Sequence, residues 1–201
     1  MRFPMHTSRR ALGISALVLA AVAGWIGVFT AIAVWDVGRF TSFWAPQRLA
    51  AYALFLAAPG LTFFPIGRAL GIPLYDVEAL VGWSTLAYVM TFVNPGQRPS
   101  VGALLVFLIS LVIAVATIAT LVAYAVGLRL LTHRHHRYDF VRARREGYLF
   151  AIFIGGCALL AMLDVFTFVT AGLLGLIIAL LEVFLLSRGP GHVPAHDQRS
   201  G

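Results

Sequence analysis

Residues able to do chemistry are sparse in this chain, and most of them share one run, Leu131 to Gly147, "LTHRHHRYDFVRARREG". It contains five arginines and three histidines. His133, His135 and His136 are metal-ligating types. Their spacing is not the i, i+4 pair that sets two imidazoles on one helical face. Only Asp139 adds a nearby acid, no cysteine is close, and Arg134, Arg137, Arg142, Arg144 and Arg145 repel a cation, so no metal site is expected. Guanidinium groups also suit phosphate. Tyr138 and Phe140 are the only aromatics interleaved with them, too few for a base-stacking platform, and no nucleic-acid partner is expected.

The other candidates are acids in or beside apolar stretches: Asp76, Glu78, Asp164 and Glu182. A charge at the centre of a membrane helix costs roughly 2.5–3.5 kcal/mol, so each such position needs a reason. Glu182 is the most conspicuous. It precedes Arg188 by six residues, about 9 Å along a helix axis, which puts it near a headgroup region and within reach of an arginine of the basic run. The expected role is an orienting ion pair; a proton or ion relay is the alternative. Asp164 falls in a turn and Asp76 and Glu78 in a helix's first turns, where acids suit the positive end of the helix dipole.

Catalytic patterns are missing. There is no G-x-S-x-G, no H-E-x-x-H and no G-x-x-x-x-G-K. Ser84, in "GWST", and Ser110 are isolated hydroxyls expected to bond the preceding helical turn. Neither an enzyme nor a cofactor is implied.

The elements that hold these residues follow from composition. The 201 residues are 60% hydrophobic and 11% charged, with mean hydropathy +0.90. A water-soluble domain carries about 25% charged residues, so the natural solvent here is lipid. All fifteen basic residues are arginine, and the pI near 10.5 reflects arginines placed between apolar segments rather than on a polar fold. The lone Cys157 excludes an intramolecular disulfide.

Apolar runs of about 20 residues define an all-α integral membrane bundle of about six transmembrane helices. The spans are expected at about 11–35, 49–67, 77–93, 101–130, 147–164 and 168–187, forming one transmembrane domain, 1–187, with a disordered cytoplasmic tail, 188–201. The first also reads as a secretory leader, with Ser8-Arg9-Arg10 and a cleavage-like Ala21-Val22-Ala23. Its apolar run continues twelve residues past Ala23, and a retained anchor is the expectation. In the second, Pro59 must free a backbone carbonyl that a neighbouring helix has to satisfy, and Pro65 is expected to mark the end. The last two form a tight hairpin around "LDVFTFVT", where Asp164, Thr167 and Thr170 can bond local backbone and cap the following helix.

Small residues recur every fourth position at Ala16/Ala20/Gly24, Ala119/Ala123/Gly127, Gly147/Ala151/Gly155 and Ala171/Gly175/Ala179. Such stripes allow close helix approach, and the last two are expected to meet across the hairpin or to receive a partner helix or a second copy of the chain. With the N-terminus inside, six spans leave twelve arginines on the inner side and three (Arg39, Arg48, Arg98) outside. That bias predicts a multi-pass protein of the cell membrane with both termini cytoplasmic. The basic run then lies against anionic lipid headgroups, each arginine contributing on the order of 1 kcal/mol.

Between Asn94 and Arg188, "NP" followed by "LLVFLISL", the arginine-rich run entering "REGYLFAIF", and a close as "TAGLLGLIIALLEVFLLSR" resemble a group of small, uncharacterised bacterial polytopic membrane proteins. A late glutamate followed by leucines and a basic residue, here Glu182 to Arg188, is typical of the group. The resemblance implies a membrane location and no activity. Together these features favour a non-enzymatic accessory or scaffolding membrane protein; the alternative is a transporter or channel subunit for a small solute or ion, motivated by the helix broken at Pro59-Gly60 and the acids Asp76, Glu78 and Glu182.

Overall fold

The computed structural model describes residues 5–35, 37–39, 42–93, 100–130 and 140–187. Among these there are no strands. Six long helices appear: α1 (Met5–Ala33), α2 (Pro46–Leu70), α3 (Tyr75–Phe92), α4 (Val101–Leu130), α5 (Phe140–Met162) and α6 (Phe168–Ser187), with a short 3₁₀ turn at Val37–Arg39. Segments Leu12–Ala33, Pro46–Leu70, Val101–Arg129 and Phe140–Met162 are long and apolar enough to cross a membrane. Only 17–28% of their most apolar windows is buried, so most of that surface needs lipid around it. Thirty residues make α4 about 45 Å long, more than the hydrocarbon thickness of about 30 Å. The chain groups into two compact units, Met1–Gly155 and Gly156–Gly201, and the division falls inside α5.

In the first unit the helices alternate in direction. Gly24 of α1 faces Ala58 of α2, and Gly67 of α2 faces Asp76 of α3. Gly82 of α3 faces Ile113 of α4, and Gly147 of α5 faces Thr120 of α4. One buried cluster joins Val28 and Ala31 of α1 to Ala51, Phe55 and Ala58 of α2 and to Val37. A second joins Phe63, Ile72, Tyr75 and Ala79. Trp25 and Trp83 meet edge to face at 5.2 Å beside them. The indole of Trp25 donates to Thr62 Oγ1 at 3.0 Å.

Helix α2 runs five residues past Pro65, further than expected. It ends where Gly71, at φ +65°, adopts the left-handed conformation. Its N–H and that of Ile72 then reach the carbonyls of Arg68 (3.4 Å) and Gly67 (3.1 Å). Pro59 is fully buried and removes the bond that would occupy the carbonyl four residues earlier, at Phe55. Ser84 of α3 donates its hydroxyl to that carbonyl at 2.7 Å. Ser84 is therefore a link between helices rather than a locally bonded hydroxyl, whereas Ser110 does bond its own preceding turn, at Phe107 O.

In the second unit, α5 and α6 form the expected hairpin. The N–H groups of Asp164 and Val165 close α5 on Ala161 O (3.2 Å) and Leu160 O (3.1 Å). Asp164 takes the left-handed position, φ 55°, so it ends α5 through its backbone instead of capping α6. Thr167 and Thr170 cap α6 reciprocally: Thr167 Oγ1 accepts from the Thr170 N–H at 3.1 Å, and Thr170 Oγ1 accepts from the Thr167 N–H at 2.8 Å.

The Ser84–Phe55 bond yields a double-mutant test. Ser84→Ala should lower the thermal midpoint of the detergent-solubilised protein, at a cost of about 1 kcal/mol. In a Pro59→Ala background the helix regains its own bond to Phe55, and the same Ser84→Ala change should cost much less. Equal effects in the two backgrounds would sever the link between Ser84 and the proline.

Candidate functional site

Helix α5 begins at Phe140, seven residues before the expected start of the span. Arg142, Arg144 and Arg145 thus belong to its first turns and not to a loop. Cations at a helix N-terminus oppose the helix dipole, and α5 has no acid in its first turn. Two acids offset this. Arg142 Nε pairs with Glu146 one turn on, at 2.9 Å. Arg144 is turned into the bundle, where its Nη2 donates to Glu78 Oε1 of α3. The Arg144 and Glu78 side chains are 35% and 27% exposed, so the pair is half-buried rather than solvated.

Three helices converge on this pair. Ile72, Tyr75 and Glu78 stand on one side, Thr117 and Thr120 of α4 on another, Arg144 and Tyr148 of α5 on the third. The gap left between these side chains is narrow. Arg144 also lies 5.8 Å from the Tyr148 ring centroid. Tyr75 donates its hydroxyl to Thr117 O at 3.0 Å, and Trp83 donates its indole N–H to Thr117 Oγ1 at 3.2 Å. Thr117 in turn donates to Ala114 O at 2.7 Å. The ion pair and the Thr117 bonds fasten α3 to both α4 and α5.

Close approach makes this geometry available. A Cβ on Gly147 would stand 2.6 Å from the backbone N and 2.8 Å from the Cα of Thr120, so only glycine allows α5 to lie this near α4. The stripe Gly147/Ala151/Gly155 is buried and faces α4 at Thr120 and Val112. Sequence alone sets this stripe across the hairpin; it packs on α4 instead, and at the hairpin Gly156, one residue further, approaches Leu174.

The remaining candidates are placed apart from this cluster. Asp76 is half-buried in the first turn of α3, as expected, and its Oδ1 accepts from the Val77 N–H at 3.0 Å. Asp164 is exposed in the hairpin turn. Glu182 is half-buried on α6, in the second unit, and forms no ion pair among the described residues. Arg134, Arg137, the three histidines and Asp139 lie outside the described residues, as do Arg188 and the tail. The described residues contain no group of three or more metal-ligating side chains. Tyr75, Thr117 and Tyr148 escape sequence reasoning, although Arg144 and Tyr148, four apart, share one face of a helix.

The fold and this site define a membrane-embedded helical bundle clamped by an internal ion pair. Comparison of the chain with known protein families, curated proteins and solved structures found no match.

Removing one partner strands the other charge. Glu78→Ala and Arg144→Ala should each destabilise the bundle by about 2–3 kcal/mol, and the double variant should cost clearly less than their sum. Thermal unfolding in detergent measures this; simple additivity would mean the pair carries no coupling.

Proposed function

We propose that the protein is a multi-pass component of a bacterial plasma membrane, crossing six times with both termini cytoplasmic, and that it acts as a non-enzymatic accessory or scaffolding protein. The observation that carries the orientation is the distribution of charge over the first unit. Its alternating helices collect Arg68, Arg129, Arg142, Arg144 and Arg145 at one end, while Arg48 stands at the other. Cytoplasmic ends carry such an excess of arginine, and anionic headgroups are the natural partner of those cations not consumed inside the bundle.

The tightly filled site supports the scaffolding role. Arg144 and Glu78 neutralise each other half-buried between three helices, and the carbonyl released by Pro59 is bound by Ser84. A solute pathway normally lines a wet cavity with such groups. The small-residue faces suit contact with a membrane partner helix.

Two measurements test this. In a Cys157→Ser background, His135→Cys should react with a membrane-impermeant maleimide only after cells are opened, and Gln97→Cys in intact cells. The reverse pattern overturns the orientation. Vesicles containing the wild-type protein should pass protons and small cations no faster than protein-free vesicles. A pH-driven flux that Glu182→Gln abolishes would overturn the scaffolding reading in favour of a transporter or channel subunit.

A further inference from the structure

At the end of the first unit opposite the ion pair, α2 and α3 leave a cleft of about 310 Å³, lined by Phe43, Tyr52, Phe55, Leu56, Ser84 and Tyr88 among others. That is the lower end of the volume range of small-molecule sites, roughly 300–1,000 Å³. Its rim is open: Phe43, Leu56 and Tyr88 are 52%, 53% and 43% exposed. The cleft is too small for an α-helix, whose diameter with side chains is about 10–12 Å, but it has the size of a segment of acyl chain.

Tyr52, in the lining, and Arg48, one turn beyond it, carry polar atoms without a partner among the described residues. Arg48 and Tyr52, one turn apart on α2, share a face. The Tyr52 hydroxyl and Arg48 Nε are both buried without a hydrogen-bond partner among the described residues. An unmet buried donor calls for an absent partner. The Arg48 guanidinium lies 4.5 Å from the Phe92 ring centroid, and that ring packs against Tyr52 at 5.6 Å and Tyr88 at 4.9 Å. No described carboxylate of the first unit stands at this end, since Asp76, Glu78 and Glu146 all lie at the other. Ser84 is already committed to Phe55 O, so the lower part of the cleft offers mainly apolar contact.

We infer that this cleft binds an anionic membrane phospholipid, with the phosphate on Arg48 and Tyr52 and one acyl chain along Phe55 and Leu56. Phe43, on the irregular connection before α2, packs on Tyr52 at 5.5 Å and is the ring that must turn to admit the headgroup. Aromatic side chains at this level match a membrane interface. The inference needs only a membrane-embedded bundle and holds for either orientation.

Native mass spectrometry of the delipidated full-length protein, with phosphatidylglycerol, phosphatidylcholine or glycerol 3-phosphate added in turn, tests it. Phosphatidylglycerol adducts should outlast phosphatidylcholine adducts. Arg48→Gln should weaken phosphatidylglycerol binding roughly tenfold, the value of one charge-assisted hydrogen bond. Arg48→Lys should retain much of the preference, and Leu56→Trp should weaken both lipids by filling the cleft. Circular dichroism checks that each variant keeps its helicity. Equal binding of the two lipids, unaffected by Arg48→Gln, overturns the inference. So does equal loss in Arg48→Lys and Arg48→Gln at unchanged helicity, which would make Arg48 a packing residue. Displacement of lipid by glycerol 3-phosphate would make the site one for soluble phosphate, and a dimer abolished by Leu56→Trp would make the occupant a second copy; either overturns it.

Discussion

The contact between Arg144 and Glu78 is the interaction on which the arrangement of α3, α4 and α5 depends. Lipid offers no hydrogen bonds and little solvation, so a guanidinium that enters the bundle must be met there by protein. Glu78 can meet it only if α5 lies against α4 closely enough for Arg144 to reach α3. That approach needs a residue without a side chain at position 147, because Thr120 backbone fills the space a Cβ would take. One glycine, one acid and one arginine, far apart in sequence, thus form a single constraint.

The same solvent argument explains where the polar groups of the bundle go. Thr117 serves both neighbours on α3, taking the Trp83 indole on its hydroxyl and the Tyr75 phenol on its carbonyl. Ser84 answers the carbonyl that Pro59 leaves open. Each bond joins two helices. Close packing of small residues supplies the dispersion contacts, while these few polar links fix rotation and register, which apolar surfaces alone specify poorly in lipid.

Helices were legible in the sequence because lipid demands long apolar runs, and α4 and α6 were expected with the bounds they have. The need for a partner at the carbonyl freed by Pro59 was legible as well, though not that Ser84 would supply it. The start of α5 was not, because arginines at a helix N-terminus oppose the dipole, and the acids that offset them are Glu146, one turn on, and Glu78, 66 residues away. Glu182, a glutamate among leucines, stands out locally, whereas Glu78 gains its meaning only from a helix that the chain reaches much later. The stripe Gly147/Ala151/Gly155 was recognisable as a contact face, but periodicity shows that a face is small, not which neighbour it meets.

The two ends of the first unit treat charge in opposite ways, and this bears on how the protein sits in its membrane. At the arginine-rich end, Arg142 and Arg144 are matched by acids, so part of the formal positive charge is consumed in holding the fold. At the other end Arg48 faces aromatic rings and no described carboxylate of the unit. Orientation by positive charge acts while the chain is being inserted, before the helices assemble and before Glu78 can meet Arg144. Arg144 can therefore contribute to choosing the side during synthesis and then to clamping the bundle once folded, so the later pairing does not weaken the earlier signal. Among the described residues Arg48 meets no acid, which leaves its charge available to whatever borders that end of the bundle.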